Sequence, residues 1–322
     1  MTHDTEAVLD RRSLRRRLGF WRAAGIVGIA LAIGAFALGG QEGGGLIARH
    51  QIARISIDGL ITENREQLKM LQRIGDASRV DALLVFVNSP GGTTTGGEAL
   101  FEGLRAVAKK KPVVAQFGTV AASAGYIVGL ATDHIVTRGN TITGSVGVIM
   151  QWPEVSALLD KLGVKMNEIK SGPLKAAPSP FAPIDEPARK VTEQMIAEGF
   201  QWFRGLVESR RGVKTADIGG LEQGRIFSGR EAVSLKLADE IGGEAEAVRW
   251  LKEQRGVKHG LKVIDWKPRH DSDWMGLTSQ SGLAGLALRN LAATLMSALG
   301  VVRDGSGLSL DGLVSVWHPS EN

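Results

Sequence analysis

Twice between Leu83 and Leu130 the chain runs through the same order of residue types: a short apolar run, a stretch of small residues rich in glycine, and a helix-forming segment. Residues 83–87 are Leu-Leu-Val-Phe-Val, Asn88-Ser89-Pro90-Gly91-Gly92 follows, and residues 97–108 set Leu100, Phe101, Leu104 and Val107 on one helical face. Residues 113–117 then lead into Gly118-Thr-Val-Ala-Ala-Ser123-Ala-Gly-Tyr-Ile-Val-Gly129, whose helix reaches Leu130. Each instance reads as strand, glycine turn, helix, and repeated βα units predict a layered α/β domain.

The elements on either side extend this pattern. Residues 52–57 alternate as a strand ending at Asp58-Gly59, and residues 63–74 follow as a helix. After the Ser123 stretch, residues 135–137 and 141–149 supply further strands, and residues 152–162 a helix that leads into residues 164–169. Residues 171–183 hold four prolines, which exclude regular structure and stiffen the loop. A long helix is expected over residues 187–211, and Ser228 with Glu231 forms a capping box for another. A helix over 245–253 and a strand over 261–265 complete the patterned region. Residues 283–302 are apolar but carry Arg289 and Asn290, so an amphipathic helix or an oligomer contact is expected there rather than a membrane span.

The length of 322 residues allows one large or two modest domains. The net charge of +5 is concentrated at the start: residues 1–22 hold six arginines against three acidic residues, leaving +2 for the other 300. A local cluster of that kind is no nucleic-acid footprint. Directly after it, residues 23–40 are uncharged and rich in Gly, Ala and Ile, just sufficient for a helix of about 20 residues that crosses a bilayer if Phe20 and Trp21 form its interfacial end. The expected order is a cytoplasmic basic segment (1–22), a transmembrane anchor (23–40), a linker (41–51), a catalytic domain (52–268) on the outer side of the membrane, and a tail of unknown role (269–322). A cleaved signal peptide is the competing reading, with Ala35-Phe36-Ala37 as the cleavage site; the length of the apolar run favours retention.

Chemistry enters at Ser123. A hydroxyl at a strand-to-helix junction lies beside the unpaired N–H groups of the new helix, where developing negative charge is stabilised. Taken alone, a Ser between Ala residues is a packing residue, so the rest of the chain must supply a base and an anion site. Among the six histidines, His3, His50, His259, His270 and His318 lie at the ends or in weakly patterned segments, and His134 precedes a strand as a surface or packing residue. With no cysteine, neither a Cys–His site nor a metal site is supported, and no cofactor is expected. A lysine can serve as a base when burial disfavours its charged form. Lys175 has Leu174, Ala176, Ala177, Pro178, Pro180 and Phe181 around it, whereas Lys109, Lys110 and Lys111 form a solvated run and Lys170 borders Ser171 and Gly172. The oxyanion created by attack on a carbonyl needs backbone donors; Gly92, with Gly91 as second choice, and Ala124 are the candidates.

Together Asn88-Ser-Pro-Gly-Gly92, Ala121-Ala-Ser-Ala-Gly-Tyr126, Thr141-Ile-Thr-Gly-Ser-Val-Gly-Val148, the loop Ser171-Gly-Pro-Leu-Lys-Ala-Ala-Pro-Ser-Pro180 and Gly224-Arg-Ile-Phe-Ser-Gly-Arg-Glu-Ala232 resemble the motifs of bacterial signal peptide peptidase A, short form. The resemblance spans about residues 52–251. It implies a ClpP/crotonase-like fold, a Ser–Lys dyad of Ser123 and Lys175, a supporting Ser145 whose hydroxyl holds the lysine amine, and bowl-like homo-oligomers in which a neighbouring subunit completes the dyad. Ala124 departs from the Gly common there, and the added methyl leaves its N–H available. The expected function is a membrane-anchored serine endopeptidase acting on remnant signal peptides or other apolar peptides. A crotonase-type acyl-thioester enzyme would share the glycine-rich anion site without needing the dyad, and a non-catalytic membrane scaffold would need neither.

Overall fold

The apolar residues of the first two strands, β1 (Gln51–Ile61) and β2 (Val80–Thr93), divide between two cores, because successive side chains of a strand point to opposite faces. Ala53, Ile55 and Ile57 of β1 and Leu83, Val85 and Val87 of β2 join the larger core; Ile52, Ala82 and Leu84 join the smaller. The computed structural model describes Trp21, residues 25–27, residues 50–268 and residues 314–316. The chain divides into two units, Met1–His50 and Gln51–Asn322, and the sheet belongs to the second.

The larger core is roofed by α1 (Arg65–Asp76), α2 (Thr94–Ala108), α3 (Ala124–Leu130) and α5 (Glu186–Arg211), which contribute Met70, Leu104, Ile127 and Phe203 among others. The smaller core lies under α7 (Glu244–Arg255), through Ala247 and Leu251. A sheet covered by helices on both faces makes the domain a layered mixed α/β fold, as the repeated units predict. Local chemistry fixes the helix starts. Asn64, Thr93 and Asp185 cap α1, α2 and α5 by accepting backbone N–H bonds from Gln67, Gly96 and Ala188 at 2.8–3.1 Å. Ser228 accepts from Glu231 N–H at the start of α6 (Gly229–Ser234), as expected.

The central strand order is β6-β5-β3-β2-β1-β8, with β3 (Val113–Ala122), β5 (Ile142–Gly144), β6 (Ile226–Ser228) and β8 (Lys262–Asp265). β8, β1, β2, β3 and β5 run parallel, and β6 is antiparallel to β5. β4 (His134–Thr137) pairs with the first half of β3 and with β7 (Glu240–Ile241). Finally β9 (Val314–Val316), from the tail whose role the sequence leaves open, lies antiparallel to Gly91–Thr93 as a strand of the sheet.

Three expectations are corrected. Pro90-Gly91-Gly92 is not a turn: β2 continues through it, paired with Leu60 and Ile61 of β1. Its glycine serves close approach, since a Cβ on Gly92 would stand 1.8 Å from the Ile61 carbonyl oxygen. Residues 145–149 do not continue the strand, because Gly144 and Ser145 both take positive φ, 85° and 53°, and turn the chain away. The helix expected over 152–162 shrinks to α4 (Ser156–Lys161), which buries no residue. Residues 164–169 form no regular element, and all six are exposed. The expected anchor over 23–40 and the amphipathic helix over 283–302 lie outside the described residues, apart from residues 25–27. Among the described residues no helix is long and apolar enough to cross a membrane.

Candidate active site

A break in register between β2 and β3 builds the site. Val87 pairs with Phe117 and Ser89 with Ala121, so Asn88 alone stands opposite Gly118, Thr119 and Val120. Extra strand residues would leave backbone N–H groups without a ladder partner. Asn88 supplies one: its Oδ1 accepts from Thr119 N–H at 3.1 Å and from Val120 N–H at 3.3 Å. The bulge swings the second half of β3 off β4 and onto β5, where Thr141 and Thr143 donate their hydroxyls to the carbonyl oxygens of Gly118 and Ala121 at 2.6 and 2.7 Å.

Beyond Ala122 the chain passes in one residue from strand to helix. That residue is Ser123, with φ 55° and ψ −120°, a conformation an L-residue reaches only at a cost of about 1–3 kcal/mol. A sharp, strained strand-to-helix turn is how α/β hydrolases present a nucleophilic serine. The Ser123 side chain makes no cap bond to α3, and its N–H donates to Gly144 O at 2.9 Å. All seven residues of α3 are buried. Small residues make that possible: a Cβ on Gly125 would stand 2.7 Å from Ser89 O. The far end of α3 is neutralised by two guanidinium groups, Arg210 donating to Leu130 O at 2.8 Å and Arg105 to Ala131 O at 3.0 Å. Burial lowers the Arg210 pKa from its ordinary value.

The candidate residues gather unevenly. Gly144 bonds to Ser123, which sets half-buried Ser145 one residue from the hydrogen bond, itself held by donation from Ser145 N–H to Arg225 O at 3.0 Å. Gly91 and Gly92 lie on β2 just past Ser89, whose own partner Ala121 is two residues before Ser123. The Gly91 N–H is engaged by Ser89 Oγ at 3.1 Å, and Gly92 is paired with Ile61 of β1 and Ser315 of β9. Ala124 opens α3, where the first N–H groups have no intrahelical acceptor.

Lys175 stands apart. It is exposed, in a turn closed by donation from its own N–H to Gly172 O at 3.1 Å, and the apolar neighbours expected to enclose it do not: Leu174 is 45% and Phe181 41% exposed. Lys170, the other lysine considered, pairs with Glu168. His134 stacks on Trp250 at 4.6 Å and faces Glu240 and Asp239 at 3.4 and 3.7 Å, a packed edge position at the β4–β7 end of the sheet. Among the described residues no group of three His, Asp or Glu is placed to hold a metal ion. Sequence reasoning passed over Asn88 and Ser89 as contributors; the one available signal was their place directly before Pro90-Gly91-Gly92.

With this geometry in place, the similarity to known proteins is informative. Residues 105–258 match the family described as Peptidase family S49. A provisionally named protease of Synechocystis sp. is 33% identical over 219 residues, 67% of this chain and 79% of that protein. The chain belongs to peptidase family S49. A provisionally named signal peptide peptidase SppA of Enterococcus faecium is 31% identical over 243 residues, covering 70% of each chain. Among solved structures, a point mutant of ClpP1 from Listeria monocytogenes matches with a TM-score of 0.41 at 17% identity, over 61% of this chain and 94% of that one. The protein is a serine-type peptidase, and its substrates are peptides.

Proposed function

We propose that this S49 peptidase is a membrane-anchored endopeptidase that uses Ser123 as nucleophile and Lys175 as base, on the outer side of the cytoplasmic membrane, against remnant signal peptides or other apolar peptides. The observation that carries the reading is the backbone of Ser123, held at φ 55° and ψ −120° where β3 becomes α3. In the proposed reaction Ser123 Oγ attacks the peptide carbonyl carbon while its proton passes to the neutral Lys175 amine. The N–H groups of Gly92 and Ala124 receive the oxyanion. The C–N bond then breaks, the Lys175 ammonium returns the proton to the departing amine, and water hydrolyses the acyl-enzyme by the same path.

An exposed ammonium is a poor base, since only desolvation or neighbouring charge makes a lysine neutral near pH 7. The exposed position of Lys175, in a stretch that also exposes Leu162, Ile169, Leu174 and Phe181, therefore supports a homo-oligomer in which a second copy covers this loop and brings Lys175 to a Ser123. Ser145, adjacent to Gly144, would then hold the amine by its hydroxyl. The membrane part of the reading rests on the arginine-rich segment followed by residues 23–40. The test is loss of peptide hydrolysis in both Ser123→Ala and Lys175→Ala with the far-UV spectrum and melting temperature retained; full activity in either contradicts the dyad.

A further inference from the structure

The first turn of α3 carries a methyl group for which room is made on another helix. Ala124, the residue directly after Ser123 and the one at which this chain departs from the common glycine, is fully buried. Facing it is Gly97 of α2, also buried: a Cβ on Gly97 would stand 3.3 Å from the Ala124 Cβ and 3.4 Å from Ile127 Cδ1. Carbon atoms attract best at about 3.5–4.0 Å, so two methyls at this spacing press on one another without blocking the fold outright.

Little else at the junction can yield. Gly96, one residue earlier, backs onto the end of β1 so closely that a Cβ on it would stand 2.7 Å from the Thr62 carbonyl carbon, and the Thr93 hydroxyl holds its N–H at 3.1 Å. α2 therefore has little space in which to retreat. Successive residues of a helix point about 100° apart, and the neighbour of Ala124, Gly125, lies against Ser89 of β2, where a Cβ would stand 2.7 Å from the carbonyl oxygen. The first turn of α3 is thus seated against α2 by the Ala124 methyl and against β2 by the bare Cα of Gly125. The Ala124 Cα is one peptide unit, about 3.8 Å, from that of Ser123, so this seat fixes where the strained turn holds its hydroxyl.

We infer that Gly97 is a positioning residue for the peptidase reaction: the absence of a side chain there, matched to the Ala124 methyl, sets the place of Ser123 and of the Ala124 N–H. This rests on the roles proposed for Ser123 and Ala124. Gly97 is buried and acts through Ala124.

The test is a double-mutant cycle in the full chain, read in kcat and KM on a fluorogenic apolar peptide, with melting temperatures to establish that each variant is folded. Gly97→Ala shifts the first turn of α3 by a few tenths of an ångström and should lower kcat about tenfold, with KM within about twofold of the parent. Ala124→Gly keeps the N–H but vacates the space, and should lower kcat about threefold. Combining Gly97→Ala with Ala124→Gly moves the methyl from one helix to the other and should return kcat to within about twofold of the parent, above Ala124→Gly alone. That last comparison decides the matter even where Gly97→Ala by itself does not fold. Losses that multiply, to about thirtyfold in the double variant, overturn the inference, as does a Gly97→Ala protein with parental kcat. Fluorophosphonate labelling separates this role from the assignment beneath it. A label on Ser123 that forms about tenfold more slowly in Gly97→Ala and recovers in the double variant supports both. Labelling of Ser123 at one rate in all four proteins overturns the positioning role and keeps the nucleophile, whereas a folded parent with no label on Ser123 overturns the nucleophile and this role with it.

Discussion

The N–H of Ser123 donates to the carbonyl oxygen of Gly144 at 2.9 Å, and this single bond ties the nucleophile to the turn that carries Ser145. Both serines take positive φ, 55° and 53°, so a strained residue follows each member of the last β3–β5 pair, Ala122 with Gly144. Strain of this kind persists only where surrounding structure overrides it. Here the buried α3 on one side and the Arg225 and Phe227 strand on the other do so.

That strain can be weighed. Ser123→Gly should be more stable than Ser123→Ala by about 1 kcal/mol, because glycine reaches φ 55° freely and alanine does not, part of the gain being offset by glycine's greater freedom when unfolded. Both should lack activity. Paired urea melts decide it, and a Gly variant less stable than the Ala variant contradicts a strained nucleophile.

Asn88 is a test of the bulge. Asn88→Ala leaves Thr119 and Val120 N–H without their acceptor and should cost about 1–2 kcal/mol, with a larger fractional loss in kcat than in KM because Ser123 is displaced. Asn88→Asp keeps the acceptor and should recover most of both. Equal behaviour of the two variants would contradict the role given to Oδ1.

Two glycines should respond with opposite sign. Gly125→Ala puts a methyl 2.7 Å from Ser89 O, against rigid backbone, and should destabilise by about 2–3 kcal/mol. Gly205→Ala, on the exposed face of α5 with nothing within 4 Å, should stabilise by about 1 kcal/mol. Thermal melts of the two variants check both signs at once.

Much of this site was legible from residue order, and the reasons for the remainder are physical. The strand-to-helix position of Ser123 followed from an apolar run meeting small residues, and Ser228 with Glu231 marked a helix start, because both are local signals. The path of Pro90-Gly91-Gly92 was not legible: glycines that open a turn and glycines that admit a neighbouring strand look alike until Ile61 is seen against Gly92. Residues 145–149 have strand composition, and only the positive φ at Gly144 and Ser145 reveals the turn. The surroundings of Lys175 misled for a related reason. Apolar neighbours in sequence enclose a side chain only when something packs over them, and among the described residues of one copy Leu174 and Phe181 stay exposed. β9 could not be foreseen, since three residues acquire strand identity from the edge they meet.

If a second copy supplies Lys175, inactive variants should rescue each other. Mixing Ser123→Ala with Lys175→Ala under conditions of subunit exchange should restore roughly one quarter of parental activity, the statistical share of junctions that join an intact Ser123 to an intact Lys175. A mixture that stays inactive after exchange has been verified by labelled subunits would place both residues of the dyad in one chain.

Whether Ser123 is a nucleophile made reactive by Lys175 is measured most directly by intact-mass and peptide mass spectrometry after brief treatment with a fluorophosphonate. One adduct per chain is expected, located on Ser123, formed at least about 100-fold more slowly in Lys175→Ala and absent in Ser123→Ala. An adduct on another residue, or labelling of Ser123 at the same rate without Lys175, would contradict the dyad.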